Sequence, residues 1–103
     1  MESIHELNTV LSSLGKNDYF ANFLNTKHFE VGIIRLRGNQ KDTQDTHPLD
    51  ELYYVIEGEG YIHIDGKNHG VGKGTTIFVP AYAAHNFHGN RGDLIVLYIF
   101  ART

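Results

Sequence analysis

GNQKDTQDTHPLDELYYVIEG, residues 38–58, changes character halfway along. Its first 13 residues, Gly38 to Asp50, have almost nothing to bury. A loop of that length in a compact domain is usually functional or disordered. Its second part, Leu52 to Ile56, is β-branched and aromatic and closes at Gly58, as a strand does. His47 and Glu51 stand four apart at the junction. That spacing would align them on a helix as well, but Pro48, the β-prone run and Gly58 select a strand. In an extended chain His47, Glu51, Tyr53 and Val55 then share a face. A carboxylate on the same face as Val55 is costly to bury unless it is paired or coordinated, and a metal ion would supply the partner. The alternative leaves Glu51 on the solvent face and His47 in a loop.

Outward from this stretch the same signals repeat. Tyr19–Leu24, Phe29–Leu36, Tyr61–Ile64, His69–Val71, Thr75–Val79, Ala84–Phe87 and Leu94–Phe100 read as further strands, with Asp65-Gly66 a hairpin turn. About eight short strands at regular intervals indicate a sandwich or barrel. Only the start differs. Residues 3–14 read as a helix: Ser3 and Glu6 match a capping box, and Ile4, Leu7, Leu11 and Leu14 form one apolar face before Gly15. That face is expected to pack on the rest of the protein.

With 103 residues the chain supports one domain, 1–103, made of a helix at 1–15 and a β-barrel at 18–103. Eleven glycines against two prolines suit many turns between short strands. A net charge of −3 with scattered Lys and Arg gives no basic footprint, so nucleic acid is not an expected partner. The absence of cysteine removes disulfides, thiolate zinc sites and cysteine nucleophiles together. No apolar run is long enough to span a bilayer, and no charged region followed by an apolar one opens the chain. No membrane partner or signal peptide is therefore expected, and the cytoplasm is the default location.

A second informative stretch is GTTIFVPAYAAHNFHGN, residues 74–90. A buried strand ends at Pro80, the chain turns, and His85 enters the next strand beside Phe87. Taken alone, such a histidine is usually a hydrogen-bonded core residue. Two histidines and one carboxylate are nevertheless the ligand set of open non-haem iron sites and suit other divalent ions. His63, between Ile62 and Ile64, is expected to face out by alternation, and His5, His28, His69 and His88 are read as surface residues. Arg35 is read as a solvated strand charge.

Together the two stretches resemble the paired motifs of the cupin family. Residues 38–58 are similar to the first motif: a Gly, a ligand segment, Glu51, the six residues LYYVIE, then Gly58. Residues 74–90 are similar to the second, with five residues between Gly74 and Pro80 and His85 five past the Pro, one more than the usual pattern. About 15 residues from Gly60 to Gly74 separate the motifs. They cover about half the chain, and the strand pattern extends the likeness to nearly all of it. One departure concerns the first motif, which usually carries HxH where this sequence has Asp45-Thr46-His47. The run Asp42-Thr43-Gln44 looks like a subset of cupins that keep Asp and Gln there. Gln44, Asp45 or water would then fill the position of the missing imidazole.

The resemblance implies an all-β, double-stranded β-helix (jelly-roll) cupin barrel with the short N-terminal helix outside. It implies a divalent metal (Fe, Zn, Ni or Mn) held by His47, Glu51, His85 and Gln44; Tyr53, which shares a face with Glu51, and Phe87, which shares one with His85, are the candidates to line a substrate pocket. It also implies a homodimer. A metal-dependent enzyme acting on a small-molecule ligand is expected, dioxygenase-like or an isomerase or lyase. The alternative is a non-catalytic cupin module that binds a small molecule or the metal.

Overall fold

The structure is a computed structural model that describes residues 2–44 and 46–102. One helix, α1 (Leu7–Ser12), precedes eight strands: β1 (Phe20–Asn25), β2 (Phe29–Leu36), β3 (Glu51–Glu57), β4 (Glu59–Ile64), β5 (Lys67–Gly72), β6 (Thr76–Val79), β7 (His85–His88) and β8 (Leu94–Ala101). They form two antiparallel sheets, a five-stranded one in the order β1-β2-β8-β3-β6 and a three-stranded one in the order β5-β4-β7. The architecture is the expected jelly-roll barrel with a short helix outside.

Alternation builds the core. In β3, Glu51, Tyr53 and Val55 are buried while Leu52 and Tyr54 are exposed. The inner faces contribute Ile34, Leu36, Tyr53, Val55, Ile62, Val79, Phe87, Leu94 and Val96 to one apolar cluster. Register ties the layers together: Tyr98 of β8 lies opposite both Gly32 of β2 and Tyr53 of β3. A Cβ at Gly32 would overlap the Tyr98 ring, so the glycine is what lets that tyrosine lie across the sheet. Gly58 turns β3 into β4 at φ 88°, a conformation in which a side chain would be strained. Asn90 closes the barrel beyond β7, its buried amide donating to the carbonyls of Leu36, Arg37 and Gly92.

The helix departs from expectation. It begins at Leu7, with Glu6 as an extended N-cap residue that makes no side-chain cap, and Ser3 meets His5 instead. Ile4 is 88% exposed, and Val10 is the one buried residue of α1. Six residues are too few for local signals to hold a helix in water. Packing against β1 and β2 decides its extent, on the outer face where Val31 and Ile33 are buried apart from the main core. β5 runs from Lys67 to Gly72 although Asn68 and Gly70 have poor strand propensity, because each of its residues pairs with β4. Arg35 lies opposite Ile95, on the outer face of the larger sheet, but it is half-buried with its Nε unpartnered and is not the fully solvated charge expected.

Candidate metal centre

Glu51 opens β3 on the inner face, paired to Val79 of β6 on one side and Phe100 of β8 on the other. It is 2% exposed, yet neither carboxylate oxygen has a hydrogen-bond donor. His85 opens β7. Its Nδ1 stands 2.9 Å from the Ala83 carbonyl oxygen, which can only accept, so Nδ1 carries the proton. Nε2 of the neutral ring is thereby left with a lone pair, aimed into the same space as Glu51. The two atoms approach to 3.1 Å, close enough for an ion pair although not aligned as a hydrogen bond.

His47 arrives from the loop before β3, not from the strand itself as the spacing suggested. Two bonds stitch this loop to the turn after β6: Tyr82 N–H donates to the His47 carbonyl at 2.6 Å, and Ala81 N–H to Asp50 Oδ1 at 2.9 Å. The two motif regions, distant in sequence, are therefore fastened to each other beside the site. The His47 ring packs edge-on against Phe100, and its buried Nε2 also lacks a partner.

One ligand atom from each of His47, Glu51 and His85 lies within 4.8 Å of the others. The unpartnered buried atoms of Glu51 and His47 are costly, and a divalent cation that also takes the His85 Nε2 lone pair would satisfy them at once. Imidazole and carboxylate suit Fe, Zn, Ni and Mn alike. The donor set fits a resident metal.

The surroundings orient this set. Tyr53 Oη lies 3.1 Å from His85 Nε2 and 3.3 Å from Gln44 Oε1. Burial, followed by the nearby negative charge of Glu51 and then that of Asp42, pushes the Tyr53 hydroxyl well above the usual phenol range, so it stays protonated. For His85, burial is the largest influence and pulls its pKa down. The close Glu51 carboxylate, the Ala83 carbonyl and the charges of Glu51 and Asp42 outweigh it and leave the value raised above 6.5.

Sequence reasoning gave Asp42 no role of its own. It is buried, and its Oδ2 accepts from Phe87 N–H at 2.8 Å and from Gln44 Nε2 at 3.0 Å, while Oδ1 accepts from Gln44 N–H. Asp42 thus pins the polar loop to β7 and turns the Gln44 amide oxygen toward Tyr53. A carboxylate inside a long loop that must fold back on a strand was the available signal. Asp45 lies outside the described residues.

A cavity of about 540 Å³ opens beside His47 and Glu51, lined also by Tyr19, Glu30, Gln44, Tyr98 and Phe100 among others. Tyr53 and Phe87, expected to line a pocket, are not part of its wall. They are sealed in the core, edge to face with each other and one step along β3 and β7 behind Glu51 and His85. Burial carries the Tyr98 pKa up to about 12, against the lowering bond from Asn22 and with smaller help from the charges of Glu30 and Glu51. A larger groove of about 700 Å³ lies at the far end of β3, over Gly58–Tyr61 and Gly89–Asp93, and contains none of the three ligands.

Comparison with known proteins agrees with this architecture. The cupin domain family matches residues 32–101. An uncharacterised protein of Streptomyces coelicolor is 34% identical over 82 residues, covering 80% of this chain and 78% of its own length. Among solved structures, the plu4264 protein of Photorhabdus luminescens is 25% identical with a TM-score of 0.79, over 97% of this chain and 88% of that one. Salicylate 1,2-dioxygenase of Pseudoaminobacter salicylatoxidans shares the fold at 15% identity and a TM-score of 0.72, over 79% of this chain but 24% of that longer one. Two motif regions joined around one His, Glu, His cluster inside a jelly roll, and a family match over most of the chain, lead to one conclusion: this chain belongs to the cupin family.

Proposed function

We propose that this cupin is a metal-dependent enzyme acting on a small molecule, with His47, Glu51 and His85 as the protein ligands and Gln44 as an additional oxygen donor. The observation that carries the reading is the convergence of His47, Glu51 and His85, with His47 Nε2 and both Glu51 oxygens unpartnered, beside a cavity that His47 and Glu51 line and that is large enough for a small substrate. A divalent metal held there would supply Lewis acidity for isomerase or lyase chemistry, or redox chemistry if it is iron. The likeness to a dioxygenase supports the second of these. His85 is presented by Ala83, Glu51 by the β3 register and His47 by the Tyr82 bond, so each donor is oriented before metal arrives. Glu51 serves as a ligand and not as a base.

A second reading, a non-catalytic binding module, is favoured by the placement of Tyr53. This hydroxyl is fully buried and engaged with His85 and Gln44, so it is not offered to a substrate as a base. Elemental analysis of protein purified without chelator tests the metal, and oxygen uptake or product formation with candidate substrates then separates the readings. Near-stoichiometric metal with turnover supports the enzyme. Ligand binding without turnover supports the module, and a protein that neither carries nor takes up metal overturns both metal-based readings.

We also propose a homodimer formed through the outer face of the larger sheet. Helix α1 packs against β1 and β2, while Leu52, Tyr54 and Phe78 on β3 and β6 remain exposed. Phe78→Asp should convert a dimer to a monomer in sedimentation; a wild-type monomer would refute this arrangement. Among the described residues no helix is long and apolar enough to cross a membrane. The cytoplasm remains our proposed location, which fractionation of cells expressing the protein would test.

A further inference from the structure

The cavity beside the metal ligands carries a second carboxylate. Glu30 of β2 and Glu51 of β3 are both direct cross-strand partners of Phe100 in β8, one on each side. Their backbone positions are therefore two strand spacings apart, roughly 10 Å. Between them lie apolar walls, including Phe100, Ile34 and Leu49, and the hydroxyl-bearing Tyr19 and Tyr98. None of the described residues lining this cavity is Lys or Arg. The nearby cation, Arg102, holds Glu30 from outside: its Nη2 donates to Glu30 Oε1 at 2.6 Å and to Asn25 Oδ1 at 3.0 Å. Both members of that pair are about a third exposed, so water competes with it and it is readily exchanged. Arg102 engages Oε1, which leaves Oε2 for a ligand.

We propose that Glu30 is a specificity-determining residue of this site and that the natural ligand has two different ends. One end is an oxygen group that reaches the metal ligands. The other, across an apolar and preferably aromatic body, is a cationic amine or a comparable strong hydrogen-bond donor that reaches Glu30. A carboxylate or phosphate at that far end meets the field of Glu30 and finds no cation in the wall. The inference rests on the reading of His47, Glu51 and His85 as a metal site, but it concerns the opposite end of the cavity.

The test uses full-length protein loaded with Co²⁺, whose visible spectrum reports ligand contact without any turnover. Under anaerobic conditions it is titrated with two catechols, one with a 2-aminoethyl tail and one with a carboxymethyl tail. Attraction for one tail and repulsion of the other, each worth a few-fold at a partly exposed carboxylate, should favour the amine about tenfold. Glu30→Gln should reduce that preference to within about two- to threefold, and Arg102→Ala should leave it intact or widen it. Tighter binding of the acid tail that disappears in Arg102→Ala would overturn the proposal in favour of an anion held by Arg102. Equal binding of both tails, unchanged in Glu30→Gln, would overturn it outright. If cobalt does not load, the metal reading fails by itself. Tyramine and 4-hydroxyphenylacetate, followed by amide chemical shifts in metal-free protein, then test the tail preference separately, with the same expected order and the same refuting outcomes.

Discussion

Glu51 and Asn90 are equally buried, each 2% exposed, and they sit at different ends of the barrel with opposite fates. Asn90 donates to three carbonyls where the loop after β7 meets the end of β2. Glu51 has a histidine nitrogen 3.1 Å away and no hydrogen-bond donor on either oxygen. Burial alone therefore does not mark the functional end, and neither does one unpartnered atom, since Arg35 Nε on the outer face is also buried without a partner; the clustering of unmet demand at Glu51 and His47 does. Evolution can keep a satisfied amide for stability, whereas an orphaned carboxylate costs stability until something binds it.

The contrast breaks most plainly at the ligands. His85→Ala should abolish metal retention while leaving the fold intact, and His63→Ala, on the exposed outer face of β4, should change neither. Metal content and circular dichroism of the three proteins check this, and equal metal in all of them would refute the site. At the other end, Asn90→Ala should strip partners from buried carbonyls and cost about 2–3 kcal/mol. Urea unfolding should show that loss with metal affinity unchanged.

Asp42→Ala tests whether the loop clamp belongs with the site or with the scaffold. Freeing Gln44 and the Phe87 amide should weaken metal binding about 10-fold or more, as loss of an outer-shell partner does, measured by competition with a chelator. Glu51→Leu sharpens the comparison from the other direction. It should remove metal binding yet raise the stability of metal-free protein, by about 1 kcal/mol or more, read as a higher unfolding midpoint.

The smallest effect concerns pH. Protons and metal compete for His85, whose metal-free pKa is raised, so metal affinity should begin to fall while the pH is still above 6.5 and continue falling below it. The sign for metal-free protein is the reverse. A raised folded-state value contributes stability that is fully present below the unfolded pKa and lost as pH rises through the folded one. Thermal midpoints of chelated and metal-loaded protein, recorded between about pH 5.5 and 8.5, should therefore diverge as pH increases.

Much of this was legible in the chain. Alternation in ELYYVIE placed Glu51, Tyr53 and Val55 on the buried face of β3, where they lie, and turn residues punctuated all eight strands. The resemblance of the two motif regions to those of cupins pointed to His47, Glu51 and His85, which the fold brings within 4.8 Å of one another. The helix start was misread because a capping box is a local preference worth little, and packing of Val10 outweighs it. Tyr53 and Phe87 shared faces with ligands, as expected, but a shared face does not say how deep each row lies.

What the sequence by itself determined is the set of periods and punctuation: which residues can be strands, which side of each strand is apolar, and which side chains have metal-ligand chemistry. Those are properties of one strand and its neighbours along the chain, and the period of two carries them directly. Only the tertiary structure decided that Phe100 stands between Glu30 and Glu51, that Asp42 reaches across 45 residues to the Phe87 amide, and that Tyr82 holds the His47 loop. These depend on cross-strand register and loop docking between distant segments. Such contacts form only when the whole barrel closes, because each loses chain entropy that no local preference offsets.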